Sequence, residues 1–166
     1  TVEVVNALGC GSTTSITISV PKLASAGTIS ATAADLVLCP GDTLSADIDG
    51  DGTSGGASAT LDGSVGAIEY QWQISYDNGG SYQDIVGATN ADLASVDLGT
   101  ISQTVNIHRL AYAMNAGVQC AELASNAIQI TLDDTRNLSI TSSTGGFSFC
   151  ENDPVTFTAV GAVNGD

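Results

Sequence analysis

The sequence predicts an all-β protein that folds as an antiparallel β-sandwich. Two kinds of segment lead to this prediction, stretches of alternating apolar and polar residues and turn segments rich in Gly and Asn. Residues 68–76 read IEYQWQISY and alternate apolar with polar side chains, the period-two pattern of a half-buried strand. The overlapping segment SYDNGGSY, residues 75–82, suits a hairpin turn because Asn and Gly tolerate positive φ. Strands spaced about a dozen residues apart with Gly-rich turns are typical of a β-sandwich.

A second hairpin is predicted between residues 104 and 132. The stretch TVNIHRLAYAM, the turn NAG and the stretch NAIQITL follow one another along this part of the chain. No segment of useful length has the 3.6-residue apolar period of a helix. Trp72 stands on the apolar side of its strand, so we predict that it belongs to the core and does not form a platform for a sugar.

The composition excludes several classes of function. The chain has 166 residues, with 3 basic residues against 18 acidic ones and a net charge of −15. Nucleic-acid binding is excluded because it needs clustered Lys and Arg. The same charge repels anionic lipid headgroups, and no apolar run approaches the ~20 residues that span a bilayer, so we expect no direct membrane insertion. Short alternating apolar runs and few charges favour an extracellular β protein over a disordered chain.

The four cysteines indicate an internal repeat. Cys120 stands 110 residues after Cys10, and Cys150 stands 111 residues after Cys39. The segments that follow each pair are similar, CGSTTSITISV to CAELASNAIQITL and CPGDTLSA to CENDPVTFTA. A constant offset between similar segments is the mark of a tandem array.

The repeat divides the chain into three predicted parts. Residues 1–22 form the end of one repeat, residues 23–133 a whole repeat, and residues 134–166 the beginning of the next. We therefore expect the chain to be a piece of a longer polypeptide. The connections between the parts are short, so neighbouring repeats are expected to abut and to be one another's partners.

Several segments together resemble a known class of repeats. YQWQISYDNGGSYQDIVGAT, IHRLAYAMNAGVQC and SNAIQITL, preceded by CPGD, resemble the Ig-like or PKD-like repeats of giant surface proteins of gliding and marine Bacteroidota, among them the gliding-motility adhesin exported by type IX secretion. The resemblance implies a non-enzymatic adhesin or filament on the surface of a Gram-negative bacterium, with surface glycans or other surface proteins as partners. A carbohydrate-binding or spacer module of a secreted enzyme, and a strand-donating pilus-like subunit, are the alternatives.

The order Cys39, Trp72, Cys120 also resembles the immunoglobulin pattern, in which a Trp packs on a disulfide between the sheets. The resemblance implies a bridge between Cys39 and Cys120, with Cys10 and Cys150 bonded in the flanking repeats. Cys120 departs from the pattern because it follows the NAG turn and begins the last strand. Unbonded thiols are the alternative.

The segment DIDGDG, residues 47–52, is a candidate calcium loop. Asp47, Asp49 and Asp51 followed by Gly52 match the first half of an EF-hand loop, but Ser58 stands where that loop needs a bidentate Glu. A strand-like segment precedes the loop, so an EF-hand is excluded. The candidate ligands are Asp47, Asp49, Asp51 and the Thr53 carbonyl, with Asp62 as a further possibility. A solvated acidic turn without a metal is the alternative.

Three further features, His108, SYDNGGSY and Thr43, were assessed for a functional role. His108 is the single histidine, and the chain offers no partner set for a nucleophile or for zinc, so we expect no enzyme. SYDNGGSY also fits the Asp-box pattern of sialidase hairpins, where it is structural. Thr43, in the tripeptide DTL, is a candidate O-glycosylation site.

Overall fold

The computed structural model describes residues 2–5, 7–9, 11–15, 19–133, 139–143, 145 and 154–160. Cys10 and Cys150, and with them the predicted disulfides of the flanking repeats, lie outside the described residues.

Strands dominate the described part of the chain, as the alternating segments predict. The strands are β1 (Val2–Val5), β2 (Gly11–Thr14), β3 (Leu23–Ser25), β4 (Val37–Leu38), β5 (Thr60–Leu61), β6 (Ala67–Ser75), β7 (Gln83–Asp84), β8 (Val105–Asn115), β9 (Val118–Ala124), β10 (Ile128–Leu132), β11 (Ser139–Ser142) and β12 (Phe157–Val160). A single helical turn, α1 (Ser95–Leu98), interrupts them. Nowhere in the described ranges does a helix have the length and apolarity to cross a membrane.

One large sheet forms the first layer of the sandwich. Its order is β4-β10-β8-β6-β7, and β9 also pairs with β8. The central pair, β6 and β8, is antiparallel along the whole of β6, from Ala67 opposite Met114 to Ser75 opposite Asn106. At one edge β4 runs parallel to β10, with Leu38 opposite Leu132.

Both predicted hairpins are present, and the second one differs in detail. β6 turns into β7 through Asn78 at a φ of 60°, and β8 turns into β9 through Ala116 at a φ of 50°. The predicted last strand is split into β9 and β10, both of which lie along β8. The split occurs at Asn126, whose side-chain amide accepts from Ile29 N at 2.8 Å and donates to Ile29 O at 3.0 Å. The Asn126 side chain thereby ties the break to the second layer.

The second layer consists of short pairings. β3 pairs with β5, and isolated antiparallel bridges join Thr28 to Ala57, Ser30 to Asp49 and Ile48 to Leu93. Apolar side chains of both layers meet in one core, which contains Ile29, Leu38, Leu44, Ile48, Trp72, Ile74, Ile85, Ala88, Leu93, Ile101, Val105, Ile107 and Ile130. The prediction of an all-β sandwich is confirmed.

Trp72 lies in this core, as predicted. Its side chain is 0% exposed. Its indole Nε1 donates to the carbonyl oxygen of Asn90 at 2.9 Å, which satisfies the one polar atom that burial would otherwise leave unpaired. The ring therefore offers no surface to a sugar.

The expected disulfide between Cys39 and Cys120 is wrong for this structure, in which the two sulfur atoms are not bonded to each other. Cys39 directly follows Leu38, at the end of the sheet where β10 finishes. Cys120 lies in β9 beside the turn at the other end of β8, next to Gln119, which pairs with Met114. The strand registers separate the two cysteines by roughly 30 Å, whereas a disulfide needs Cα atoms within about 7 Å.

The entry to the central domain lies at the same end as Cys120. Pro21 is fully buried, and the side chain of Pro21 and the carbonyl of Met114 closely flank Gly66. Lys22 N donates to Ser64 Oγ at 3.1 Å. Pro21 and Lys22, which the predicted bounds assign to the preceding repeat, are thus held by the central domain. The exit, after Leu132, lies at the opposite end, beside Leu38.

Candidate functional site

The acidic loop between Ile48 and Ala59 brings carboxylates together, but not the predicted set. Asp49, Asp51 and Asp92 each offer an oxygen within 4.8 Å of the others. Asp92 comes from the segment before α1, which lies beside the loop because Ile48 and Leu93 form an antiparallel bridge. We call these three residues the Asp cluster.

Asp49 organises the acidic loop around its own carboxylate. Its Oδ1 accepts from the backbone N–H groups of Asp51 and Gly52, both at 3.1 Å. Its Oδ2 accepts from Ser54 N and, at 2.8 Å, from Gly56 N. Burial alone would raise the pKa of Asp49, but these backbone hydrogen bonds outweigh it and hold the pKa well below its usual value. The carboxylate is therefore ionised, and it fixes the turn from within.

The other two carboxylates of the Asp cluster also serve the backbone. Asp92 Oδ1 accepts from Gly50 N at 2.8 Å and from Asp51 N at 3.0 Å. Asp51 Oδ1 accepts from Thr53 N at 2.9 Å. Each of these two residues keeps a second carboxylate oxygen that could face a cation.

Asp47 does not join the cluster. Its Oδ1 accepts from Ser95 N at 2.8 Å, at the start of α1. Asp62, the further candidate, accepts from Ser64 N at 3.2 Å after β5. Of the predicted ligands Asp47, Asp49, Asp51 and Thr53, the structure brings Asp49 and Asp51 together with Asp92, whereas Asp47 accepts from Ser95 N at the start of α1. The Thr53 carbonyl stays a predicted ligand. Calcium binding itself stays a prediction.

The number of available ligands limits what the Asp cluster can hold. A carboxylate has about four acceptor positions, and those of Asp49 match its four amide hydrogen bonds. Calcium takes six to eight oxygen ligands. Asp51 and Asp92 would supply two carboxylates, and the remainder would have to come from backbone carbonyls and water.

Arg109 lies buried beside the acidic loop and connects four segments of the chain. It stands on the inner face of β8 and is 0% exposed. Its Nη1 donates to Gly50 O at 2.7 Å and to Ala91 O at 2.6 Å. Its Nη2 donates to the carbonyl oxygens of Ala26 and Ala57, both at 3.1 Å. One side chain thus ties both ends of the acidic loop to the segment directly after β3 and to the segment before α1.

Glycine is required where the guanidinium meets the loop. A Cβ at Gly50 would collide with Arg109 Nη1 and with the carbonyl oxygen of Ala91. A Cβ at Gly27, which has a φ of +74°, would collide with the carbonyl oxygen of Ala57 and come within 2.8 Å of Arg109 Nη2. The backbone can approach the guanidinium only because these positions lack side chains.

The charge of Arg109 complements the Asp cluster. Burial lowers the pKa of Arg109, while Tyr70 and the carboxylates of Asp92, Asp49 and Asp51 act in the opposite direction. Its Cζ lies 4.3 Å from the centroid of the Tyr70 ring, a cation–π arrangement. Arg109 Nε is the one buried side-chain nitrogen or oxygen within the described ranges that has no hydrogen-bond partner. The loop therefore already contains a cation, supplied by the chain itself.

His108 faces the other side of the sheet. Its ring stacks on the ring of Tyr82, with centroids 3.8 Å apart, and its Nε2 lies 2.7 Å from Gln73 Oε1. Burial lowers the pKa of His108, and the charge of Glu122 opposes the shift. These contacts hold the ring in a stack of side chains on the outer face of the sheet.

The central part of the chain matches a protein family. Residues 25–134 match the family described as Domain of unknown function (DUF8696). The chain belongs to this family. A search of curated proteins and a search of solved structures each found no match. The DUF8696 domain begins two residues later and ends one residue later than the repeat predicted at 23–133, and it contains the Asp cluster and Arg109.

The sequence patterns did not predict two residues of the site in the DUF8696 domain, Asp92 and Arg109. Asp92 stands in an irregular segment, and no local pattern connects it with DIDGDG. Arg109 did leave a signal, because it occupies the same side of its strand as Val105, Ile107, Ala111 and Ala113. An arginine in the apolar phase of a strand is expected to be buried and to need several acceptors.

Thr43, the candidate glycosylation site in the DUF8696 domain, is exposed on the surface. It borders a shallow depression together with Ser95 and Val96. Its exposure is compatible with a glycan on the hydroxyl, and the modification stays a prediction.

Proposed function

We propose that this chain is a stretch of tandem Ig-like repeats from a non-enzymatic adhesin or filament on the surface of a Gram-negative bacterium. The observation that supports the proposal most is that antiparallel pairings in the flanking parts correspond in position, at the offsets of the cysteines, to antiparallel pairings in the DUF8696 domain. The proposed role is mechanical, in that the repeats extend or form an adhesive surface, as in gliding motility.

The first flanking part supports this proposal. Adding 110 to the residue numbers of β1 gives 112–115, which lies within β8, and adding 110 to those of β2 gives 121–124, which lies within β9. β1 and β2 pair antiparallel, as β8 and β9 do. The two strand pairs therefore have the same sense at corresponding positions, which supports the proposed repeat, although their register differs by at least two residues.

The second flanking part supports it in the same way. Subtracting 111 from the residue numbers of β11 and β12 gives 28–31 and 46–49. In the DUF8696 domain these two segments are joined by the antiparallel bridge between Ser30 and Asp49. β11 and β12 are also antiparallel, although their register differs by two residues from that bridge.

The geometry of the DUF8696 domain suits an extended array. The chain enters at the end that contains Pro21 and leaves at the end that contains Leu132, so successive domains would follow one another head to tail. Arg109 ties four segments together, which resists their separation when the ends are pulled. The net charge of −15 keeps such repeats soluble and mutually repulsive.

The experiment combines surface labelling with a size measurement. Antibodies raised against the 166-residue chain are applied to intact and to permeabilised source cells, and the parent polypeptide is sized by immunoblotting. We expect labelling of intact cells, removal of the label by added protease, and a parent polypeptide much larger than this chain. A periplasmic protein serves as the control for cell integrity.

Two outcomes would overturn the proposal. Labelling that requires permeabilised cells would contradict a surface location. A parent polypeptide that carries a catalytic domain and a single copy of the repeat would support the spacer of a secreted enzyme instead.

A further inference from the structure

A groove lies beside the β6–β7 hairpin. It has a volume of about 210 Å³ and is lined by Ile74, Tyr76, Asp77, Ser81, Tyr82 and Gln83. Pockets for drug-sized molecules measure roughly 300–1,000 Å³, so this groove suits one smaller unit. Tyr76 is 50% exposed, so about half of its surface is accessible to a ligand.

The polar rim of the groove is fixed in place. Asp77 Oδ1 accepts from Ser75 Oγ at 2.7 Å and from Ser81 N at 2.8 Å, and Oδ2 accepts from Ser81 Oγ at 2.7 Å. The hydroxyl groups of Ser75 and Ser81 hold the pKa of Asp77 well below its usual value. A rim ordered before the ligand arrives loses little conformational entropy on binding.

The aromatic wall is fixed as well. The Tyr82 ring stacks on the His108 ring at an interplanar angle of 6°. His108 is hydrogen-bonded to Gln73, and Gln73 Nε2 donates to Asp84 Oδ1 at 2.7 Å. The free face of such a ring is a flat apolar surface at a defined position.

The negative charge at the groove favours a neutral ligand over an anionic one. Among the residues that the structure describes, no basic side chain lines the groove, and Asp77 contributes a negative charge to a chain whose net charge is −15. Anionic ligands are therefore repelled. Aromatic faces next to a carboxylate, a hydroxyl group and an amide match a ligand with an apolar C–H face and several neutral hydroxyl groups.

We propose that this groove binds one residue of a neutral glycan. The Tyr76 and Tyr82 rings contact the C–H face of the sugar, and Asp77, Ser81 and Gln83 hydrogen-bond to its hydroxyl groups. The site is independent of the array, since a single DUF8696 domain contains all of it.

The experiment is a titration of the whole 166-residue chain followed by two-dimensional NMR. The probes are methyl glycosides of glucose, galactose and mannose, and the methyl glycoside of glucuronic acid is the anionic counterpart. We expect at least one neutral glycoside to shift the amide signals of residues 74–83 with a Kd on the order of 1 mM. The glucuronide is expected to bind at least about tenfold more weakly.

Matched variants make the proposal falsifiable. Tyr76→Ala is expected to weaken binding about tenfold, whereas Tyr76→Phe keeps the ring and most of the affinity. Val86→Ala removes an apolar side chain that is 96% exposed and does not line the groove, so it should bind as the original chain does. Thermal melting of each variant verifies that it is folded. Absence of shifts with every neutral glycoside, equal binding by Tyr76→Ala, or equal binding of the glucuronide would each overturn the proposal, and none of these results bears on surface labelling or the number of repeats.

Discussion

The guanidinium group of Arg109 lies over the Tyr70 ring inside the sandwich, with the guanidinium carbon 4.3 Å from the centroid of the ring. Tyr70 is itself anchored, since its hydroxyl oxygen accepts from Ala59 N at 3.3 Å, just after the acidic loop. The pair joins the large sheet to the loop that carries the Asp cluster. A buried cation held by four carbonyl oxygens and an aromatic ring has direct consequences for stability.

Replacing Arg109 should destabilise the domain more than replacing any other basic residue. Arg109→Met leaves four carbonyl oxygens without their donor, and we expect it to lower the free energy of unfolding by about 3–5 kcal/mol. Arg109→Lys should recover part of the loss, because an ammonium group keeps the charge but cannot reproduce the planar fork. Urea unfolding curves measure the free energy of unfolding of both variants. Lys22→Met, at an exposed cation, is the control and should stay within about 0.5 kcal/mol of the original chain. Equal midpoints for Arg109→Met and the original chain would refute the role of the guanidinium.

Asp49→Asn should destabilise the acidic loop, because an amide nitrogen replaces one acceptor oxygen and leaves up to two backbone N–H groups unpaired. We expect a loss of about 2–4 kcal/mol at neutral pH. Asp47→Asn is the control. It removes a charge two positions before Asp49 and affects one hydrogen bond, to Ser95 N. The loss in the free energy of unfolding should therefore stay below about 1 kcal/mol.

The effect of Asp49→Asn should also depend on pH. The pKa of Asp49 in the folded chain lies below its ordinary value of 3.8. A depressed pKa stabilises the folded state at pH values above the ordinary pKa, and that contribution is lost as the pH falls through the folded pKa. The difference in unfolding free energy between Asp49→Asn and the original chain should therefore be constant near neutrality and shrink below about pH 4. A difference that grows on acidification would contradict this assignment.

Calcium and magnesium should stabilise the chain equally. The acceptor positions of Asp49 are filled by backbone amides, and the single positive charge of Arg109 offsets part of the charge of the three carboxylates in the Asp cluster. We therefore expect an acidic turn that responds only to general screening. Thermal melting at fixed ionic strength with either ion measures this. A rise in Tm that is specific for calcium and abolished by Asp51→Asn with Asp92→Asn, but not by Asp47→Asn, would establish a calcium site instead.

Reducing agents should leave the stability of the DUF8696 domain unchanged, because Cys39 and Cys120 lie at opposite ends of it. Cys39→Ser combined with Cys120→Ser should unfold within about 1 kcal/mol of the original chain. Peptide mapping under non-reducing conditions provides a direct check. A peptide that links Cys39 to Cys120 would show that the strand registers described above are wrong.

Local patterns were sufficient for the long strands β6 and β8 and for both hairpin turns, but not for the break between β9 and β10. IEYQWQISY alternates because one side of β6 faces the core, and the same alternation identified Trp72 as buried. Asn78 and Ala116 occupy the turns that the NGG and NAG segments predict, since these turns need residues at positive φ. Period and turn chemistry depend on neighbouring residues only, and they can therefore be recognised without knowledge of the fold.

The Asp cluster and Arg109 come together through contacts between distant segments, which no local pattern encodes. Asp49 and Asp51 were found from the spacing of DIDGDG, but Asp92 replaced Asp47 because the bridge between Ile48 and Leu93 decides which segment lies beside the loop. The expected disulfide failed for the same reason, since the order of the cysteines along the chain does not specify the end of the sheet at which each one lies. The sequence by itself determined the all-β class, the hairpins, the buried Trp72 and an acidic turn. Only the tertiary structure decided that Arg109 would be the cation at that turn, because its four acceptors come from segments up to 83 residues away that meet only when the two layers pack.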